Sequence, residues 1–208
     1  MCVTAIIPAY NEEKLIEKVL IPLKKVPEIT QIIVVSDGST DNTVQVALTQ
    51  GVFVIELKDN CGKGGAIIAG LRQAENDYVL FLDADLVGLT EEHVQKLIRP
   101  VLDDQVDMTV GVFENGRLAT DMAQVISPFL SGQRCIKKDR LRQIPGLDGA
   151  GFGVEAILTN YANQHRWKVV YVQLPNMSHV MKEEKLGLLK GLARRMKMYW
   201  EIAKSARY

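Results

Sequence analysis

The sequence predicts an α/β fold on a mostly parallel sheet flanked by helices, and three observations predict it. Short β-branched runs alternate with longer helical patterns along the chain, as βαβ units do. Polar, turn-forming clusters fall where those runs end. The 208 residues, 47% hydrophobic and 24% charged, suffice for one globular domain with a sizeable core.

Val3 to Ile7 reads as the first strand, closed by Pro8, and Asn11 stands where it would cap a helix from about Glu12 to Lys24. Ile32 to Val35 is the second strand. It stops at Ser36-Asp37-Gly38-Ser39, after which Thr40 or Asp41 would cap a helix through Thr49. Phe53 to Leu57 is a third strand, followed by a Gly62-Lys63-Gly64-Gly65 loop opening into a helix over Ala66 to Ala74. Tyr78 to Leu82 is a buried-type fourth strand that delivers Asp83 and Asp85 at its carboxyl end. Glu91 to Leu102 is helical. The later part reads as less regular, with strands at Met108 to Val112 and Lys168 to Val172, a loop over Glu114 to Asp121 and a helix over Val154 to Gln164. His93, in a polar helix, and His165, beside Arg166, show no partner pattern and are expected to be solvated.

Lys plus Arg equals Asp plus Glu at 25 each, so no overall field calls for nucleic acid. The balance is not even along the chain. Residues 182–208 carry eight Lys and Arg against three Glu in a helical pattern, with Leu, Met, Tyr and Trp on one side. Such a C-terminal amphipathic helix lies on an anionic bilayer or, more commonly, packs on its own domain or on a second subunit in a homodimer. Cys2, Cys61 and Cys135 form no CxxC pair, which argues against a disulfide framework or a structural zinc and for a reducing compartment. No basic leader or long apolar run appears, so the expected location is cytoplasmic, peripheral to the inner face of the membrane if the tail binds lipid.

Asp83-Ala84-Asp85 is the chief chemical clue. Two carboxylates one residue apart at a strand end can share one hard cation, and ligands of open α/β sheets collect at that edge. Pro8-Ala9-Tyr10-Asn11-Glu12-Glu13 and Ser36-Asp37-Gly38-Ser39-Thr40-Asp41 supply two further polar turns at the same edge. Lys63 beside glycine amides suits a diphosphate. The first turn lacks the GxGxxG of dinucleotide enzymes, and Gly64 occupies the Ser/Thr position of a phosphate-binding loop of the Walker type.

Taken in order, these segments resemble the family 2 glycosyltransferases and their GT-A relatives, whose matching turns are Pro-Ala-x-Asn-Glu-Glu, Asp-Gly-Ser-x-Asp and Asp-Ala-Asp. The resemblance implies a single GT-A domain with a Rossmann-like sheet, divided into a nucleotide-sugar half at 1–113 and an acceptor half at 114–181, before the basic tail. It implies that Pro8, Ala9, Tyr10 and Glu12 surround the base and that Asp37 contacts the nucleoside. Lys63, Asp83 and Ala84 then serve the diphosphate. Asp83, Asp85 and His179 hold Mg²⁺ or Mn²⁺. The donor is a UDP- or GDP-linked hexose. Ser131-Gly132-Gln133-Arg134 and Gly149 to Glu155 resemble the acceptor side of polyprenyl-phosphate glycosyltransferases and glucosyl-3-phosphoglycerate synthases. Gly132 and Arg134 are accordingly expected at a polyprenyl phosphate or a small phosphorylated acceptor, with Asp148 and Glu155 as candidate catalytic acids. A sugar-nucleotide-forming nucleotidyltransferase and a catalytically silent nucleotide-sugar-binding domain are the alternatives.

Overall fold

Continuous apolar runs mark strands covered on both faces, and the first, second and fourth predicted strands take that place. A computed structural model describes residues 1–113, 131–145, 147 and 153–179. Their strands are β1 (Val3–Ala9), β2 (Ile29–Asp37), β3 (Phe53–Leu57), β4 (Tyr78–Phe81), β5 (Leu86–Val87), β6 (Met108–Phe113), β7 (Arg134–Lys137), β8 (Val169–Leu174) and β9 (Ser178–His179). Their helices are α1 (Ile16–Lys24), α2 (Thr43–Thr49), α3 (Gly62–Gln73), α4 (Glu91–Leu102), α5 (Lys138–Arg142) and α6 (Val154–Gln164).

Seven strands form one sheet in the order β3-β2-β1-β4-β7-β6-β8, and β5 pairs with β9 in a separate ribbon. Strand β7 runs antiparallel to both of its neighbours, while β1 with β2, β1 with β4, β2 with β3 and β6 with β8 are parallel pairs. Side chains alternate across the sheet. Ala5, Ile7, Val34 and Leu80 face a core completed by Ile16, Leu20 and Leu23 of α1 and by Val94, Leu97 and Ile98 of α4. Ile6, Ile33, Val35, Val79 and Phe81 face the other core, with Ala66 and Ile67 of α3, Leu141 of α5 and Leu158 of α6. The predicted mostly parallel sheet, flanked by helices, is therefore the one observed.

Four local expectations need correcting. Asn11 does not cap α1: its backbone is left-handed at φ 56, and its side chain turns away to accept a hydrogen bond from the Thr40 amide at 2.8 Å. Helix α1 consequently starts at Ile16, where its amide donates to the Glu12 carbonyl at 2.9 Å. The Gly62 to Gly65 stretch is not a loop but the opening turn of α3. The later part is more regular than its sequence suggests, because β7 and α5 were hidden by charged residues around a short apolar core. His93 is not solvated, being 6% exposed, although His165 is exposed as expected and stacks on Tyr161. The expected loop over Glu114 to Asp121 and the basic tail over 182–208 lie outside the described residues.

Candidate functional site

The carboxyl ends of β1, β2, β3 and β4 open on one edge of the sheet, since Ala9 is level with Ser36 and Asp37 with Leu57. Antiparallel β7 brings its amino end to the same edge, with Arg134 opposite Phe81. Topology alone thus gathers the turns after Ala9, Asp37 and Phe81 with the segment before Arg134.

The first two turns are laced together. The Glu12 amide donates to Thr43 Oγ1 at 2.7 Å, and the Glu13 amide donates to Asp41 Oδ2 at 3.1 Å. In return the Asn42 amide and Asn42 Nδ2 donate to Glu13 Oε2 at 3.1 and 3.0 Å. Asp41 Oδ1 accepts from the Thr43 amide at 3.0 Å and so closes the start of α2. Burial works against the Asp41 charge, but the hydrogen bonds from Thr43 and from the Glu13 amide prevail and hold its carboxyl below the usual range. Pro8, Ala9, Tyr10 and Glu12 lie on this rim, with Ala9 3% exposed and Glu12 and Tyr10 half-buried. Asp37 is buried at 4% exposure, and its Oδ1 accepts from the Cys61 amide at 2.7 Å, tying β2 to the start of α3. The residue expected at the nucleoside therefore has a structural bond as well.

The β4 end is organised by charge. Lys63, in the first turn of α3, places its ammonium between Asp83 and Glu155 and forms an ion pair with each. Burial opposes the Lys63 charge, yet the two carboxylates outweigh it and hold its pKa above the usual lysine value. Gln133, 1% exposed, donates from Nε2 to Asp83 Oδ2 at 2.8 Å, while Ser131 Oγ meets its Oε1 at 3.0 Å. Gly132 is buried between them, and a Cβ there would stand 2.6 Å from each Asp83 carboxylate oxygen. A larger residue there would have to push the Asp83 carboxylate and the Lys63 ammonium aside.

Arg134 differs from expectation. It is 1% exposed, its Nε donates to the Ser131 carbonyl at 2.7 Å, and it does not display its fork to solvent. Burial lowers its pKa to about 10 against the pull of Glu155, Tyr171 and Asp83, so it remains a cation at neutral pH. Glu155 is buried, and it is bound to Lys63 rather than presented alone as an acid. Asp148 lies outside the described residues.

Asp83 and Asp85 are half-buried around Ala84, which is 3% exposed. The ribbon pairs Leu86 with His179 and Val87 with Ser178, so the backbone of His179 sits one residue from Asp85 in register. His179 thus ends a short strand. Gly88, at φ 83, packs on the Asn176 carbonyl and closes this ribbon. His93 braces it from behind: Thr90 Oγ1 accepts from the His93 amide, and the ring Nδ1 accepts from the Thr90 amide, both at 3.3 Å. Burial keeps the His93 pKa below the usual histidine value, a shift that the backbone of Gly88 and Pro175 beside the ring opposes only in part. In the sequence Gln133 has no role of its own within its segment, and His93 reads as a solvated residue. The Ser-x-Gln pattern before β7 and the Thr-x-x-His capping spacing were the available signals.

Two carboxylates one residue apart, with a histidine backbone in register beside them, are residue types suited to Mg²⁺ or Mn²⁺. Among the described residues, three such side chains do not converge as a ready-made cluster, and an ammonium lies on Asp83. Oxygen donors at a strand end beside a lysine nonetheless fit a cation carrying a diphosphate. No described helix is long and apolar enough to cross a membrane.

Residues 4–163 match the family model for glycosyl transferase family 2. An undecaprenyl-phosphate 4-deoxy-4-formamido-L-arabinose transferase of Pectobacterium atrosepticum is 39% identical over 101 residues, covering 43% of this chain and 31% of that protein. A 4,4'-diaponeurosporenoate glycosyltransferase of Staphylococcus aureus is 37% identical over 100 residues, covering 46% of this chain and 27% of the relative. The chain spans less than half the length of these curated relatives. Among solved structures, glucosyl-3-phosphoglycerate synthase of Mycobacterium tuberculosis with phosphoglyceric acid superimposes at a TM-score of 0.72 and 25% identity, covering 86% of this chain and 72% of that one. The same enzyme with Mn²⁺, UDP and glucosyl-3-phosphoglycerate gives a TM-score of 0.75 at 23% identity, over 95% and 79% of the two chains, which speaks for the fold.

Proposed function

Since this chain belongs to glycosyl transferase family 2, we propose that it transfers a hexosyl group from a UDP- or GDP-linked sugar to a phosphate-bearing acceptor, with the help of a divalent metal. The observation that carries the reading is the strand-end pair Asp83 and Asp85 beside Lys63, at the edge where the Pro8 to Glu12 and Asp37 turns also open. The match to transferases on polyprenyl phosphate and the likeness to a synthase acting on phosphoglycerate support a phosphorylated acceptor.

In this reading Asp83, Asp85 and His179 hold Mg²⁺ or Mn²⁺, which when bound supplies Lewis acidity for charge on the leaving diphosphate. Pro8, Ala9, Tyr10, Glu12 and Asp37 line the base and nucleoside, Ala84 sits beside the diphosphate, and Lys63 pairs with a phosphate. The hydrogen bonds of Asn11, Glu13, Asp41 and Thr43 hold the base-side turns to one another and serve the stability of this edge. The acceptor phosphate lies by Gly132, above the buried positive charge of Arg134. An ionised phosphate is nucleophilic without deprotonation, so Asp148 and Glu155 position groups rather than remove a proton from the acceptor. The division into a donor half at 1–113 and an acceptor half at 114–181 belongs to the same reading, with Gln133 and Glu155 reaching across to the donor side. The protein is cytoplasmic in this account, and its basic tail packs on its own fold or a second copy. Sedimentation of the intact chain with anionic vesicles would overturn that last assignment.

A panel of sugar nucleotides incubated with Mn²⁺ or Mg²⁺ and a phosphorylated acceptor tests the whole. Acceptor-dependent release of UDP or GDP that stops on chelation is the expected result, and a nucleoside monophosphate or pyrophosphate product would contradict it.

A further inference from the structure

The Lys63 ammonium sits between two carboxylates that come from distant parts of the chain, Asp83 after β4 and Glu155 in the first turn of α6. The three side chains are 24%, 18% and 10% exposed, so the cluster is largely shielded from water and its charges act strongly on one another. Gln133 donates to the second oxygen of Asp83 and is itself fixed by Ser131. Asp83 is thus kept in place by a residue that has no reason to move, while the cation on its first oxygen rides on a flexible four-carbon stem.

We propose that Lys63 is the resting counter-ion of Asp83, and that Glu155 is a positioning residue that takes over the ammonium when a divalent cation arrives at Asp83. The inference rests on the reading of Asp83 as a metal ligand. A divalent ion and an ammonium compete for the same carboxylate, so the metal binds with Lys63 displaced from Asp83. Leaving a shielded ammonium unpaired is costly, and Glu155 removes that cost by already holding one of its hydrogen bonds. The same swing frees donors of Lys63 for an incoming diphosphate. Glu155 then acts through Lys63 and not on the acceptor.

Manganese affinity of the intact, nucleotide-free protein, titrated by calorimetry or by the electron paramagnetic resonance of free Mn²⁺, separates this role from others. Lys63→Met removes the competitor and leaves two carboxylates, so Mn²⁺ should bind about fivefold tighter or more. Glu155→Gln leaves Lys63 on Asp83 alone and should weaken Mn²⁺ binding by about the same factor. Because Glu155 acts through Lys63, the double variant should bind Mn²⁺ as tightly as Lys63→Met, and a further loss there would overturn the exchange. Damage to the fold would weaken binding in every variant, so tighter binding cannot come from it, and Lys63→Gln repeats the test with a polar stem. If wild type binds Mn²⁺ and neither Lys63 variant binds it more tightly, or Glu155→Gln leaves affinity unchanged, the exchange is wrong although the metal site stands. If wild type binds no Mn²⁺ even with saturating UDP or GDP, the metal reading itself fails.

Discussion

At the β1 and β2 end of the sheet edge, Asn11 bonds with Thr40, Glu13 with Asp41 and Asn42, and Asp41 with Thr43, whereas at the β4 end Lys63, Asp83 and Glu155 hold each other by charge. The first arrangement is complete without ligand. The second contains a cation and carboxylates that a metal and a diphosphate would each want. The difference teaches that polar residues converging on one edge need not have one role: substitutions in the laced turns should cost stability, and substitutions in the charge cluster should change binding.

The largest expected effect that sharpens this contrast is at Gly132. An alanine Cβ would press on both oxygens of Asp83 and on the Lys63 ammonium, and overpacking of that kind costs about 1–3 kcal/mol, equivalent to roughly fivefold to 150-fold in affinity where it falls on the binding groups. Gly132→Ala should lose metal-dependent nucleotide affinity by about that factor in calorimetry, more than any fall in its melting temperature accounts for. A large drop in melting temperature with unchanged affinity would break the comparison.

Asp41→Ala should behave in the opposite way. It removes acceptors for the Glu13 and Thr43 amides, and leaving such donors unmet costs about 1–3 kcal/mol of stability. Urea unfolding should show that loss, and the nucleotide affinity of the folded variant should change little by comparison. Because the folded carboxyl lies below its usual value, its stabilisation is present above its unfolded pKa of about 3.9 and is lost as pH falls through the lowered folded value. The variant should therefore show a flatter loss of stability in acid.

His93 gives the smallest effect and probes the brace behind the Asp85 ribbon. Its folded pKa lies below the unfolded value of about 6.5. The unfolded chain thus takes up the proton first, and stability falls as pH drops below that value toward the folded one. Melting curves between neutral pH and pH 5 should show a shallower acid dependence for His93→Gln than for wild type. Equal slopes would remove the buried ring from the account.

Much of this was legible in the sequence because it is local. The apolar runs of β1, β2 and β4 and the periodicity of α4 and α6 state their own positions, and Asp83, Asp85, Lys63 and Asp37 announce a polar sheet edge. What escaped depends on distance along the chain. Gln133 meets Asp83 across 50 residues, and Asn11 turns from a cap into a partner of Thr40 across 29. Strand β7 is short, charged at both ends and antiparallel, so nothing local distinguishes it from loop. Glu155 looked like an acid at a helix start, and only the fold, which brings the first turn of α6 within reach of Lys63, revealed that its partner is a lysine.

The central claim is that a divalent metal at Asp83 and Asp85 carries the nucleoside diphosphate. Calorimetric titration of UDP and GDP into wild type and Asp85→Ala, each in Mn²⁺ and in chelator, tests it most directly. The account predicts that one of the two nucleotides binds wild type in Mn²⁺ at least about tenfold more tightly than in chelator, and that Asp85→Ala abolishes the difference. Equal affinity in all four conditions would contradict it.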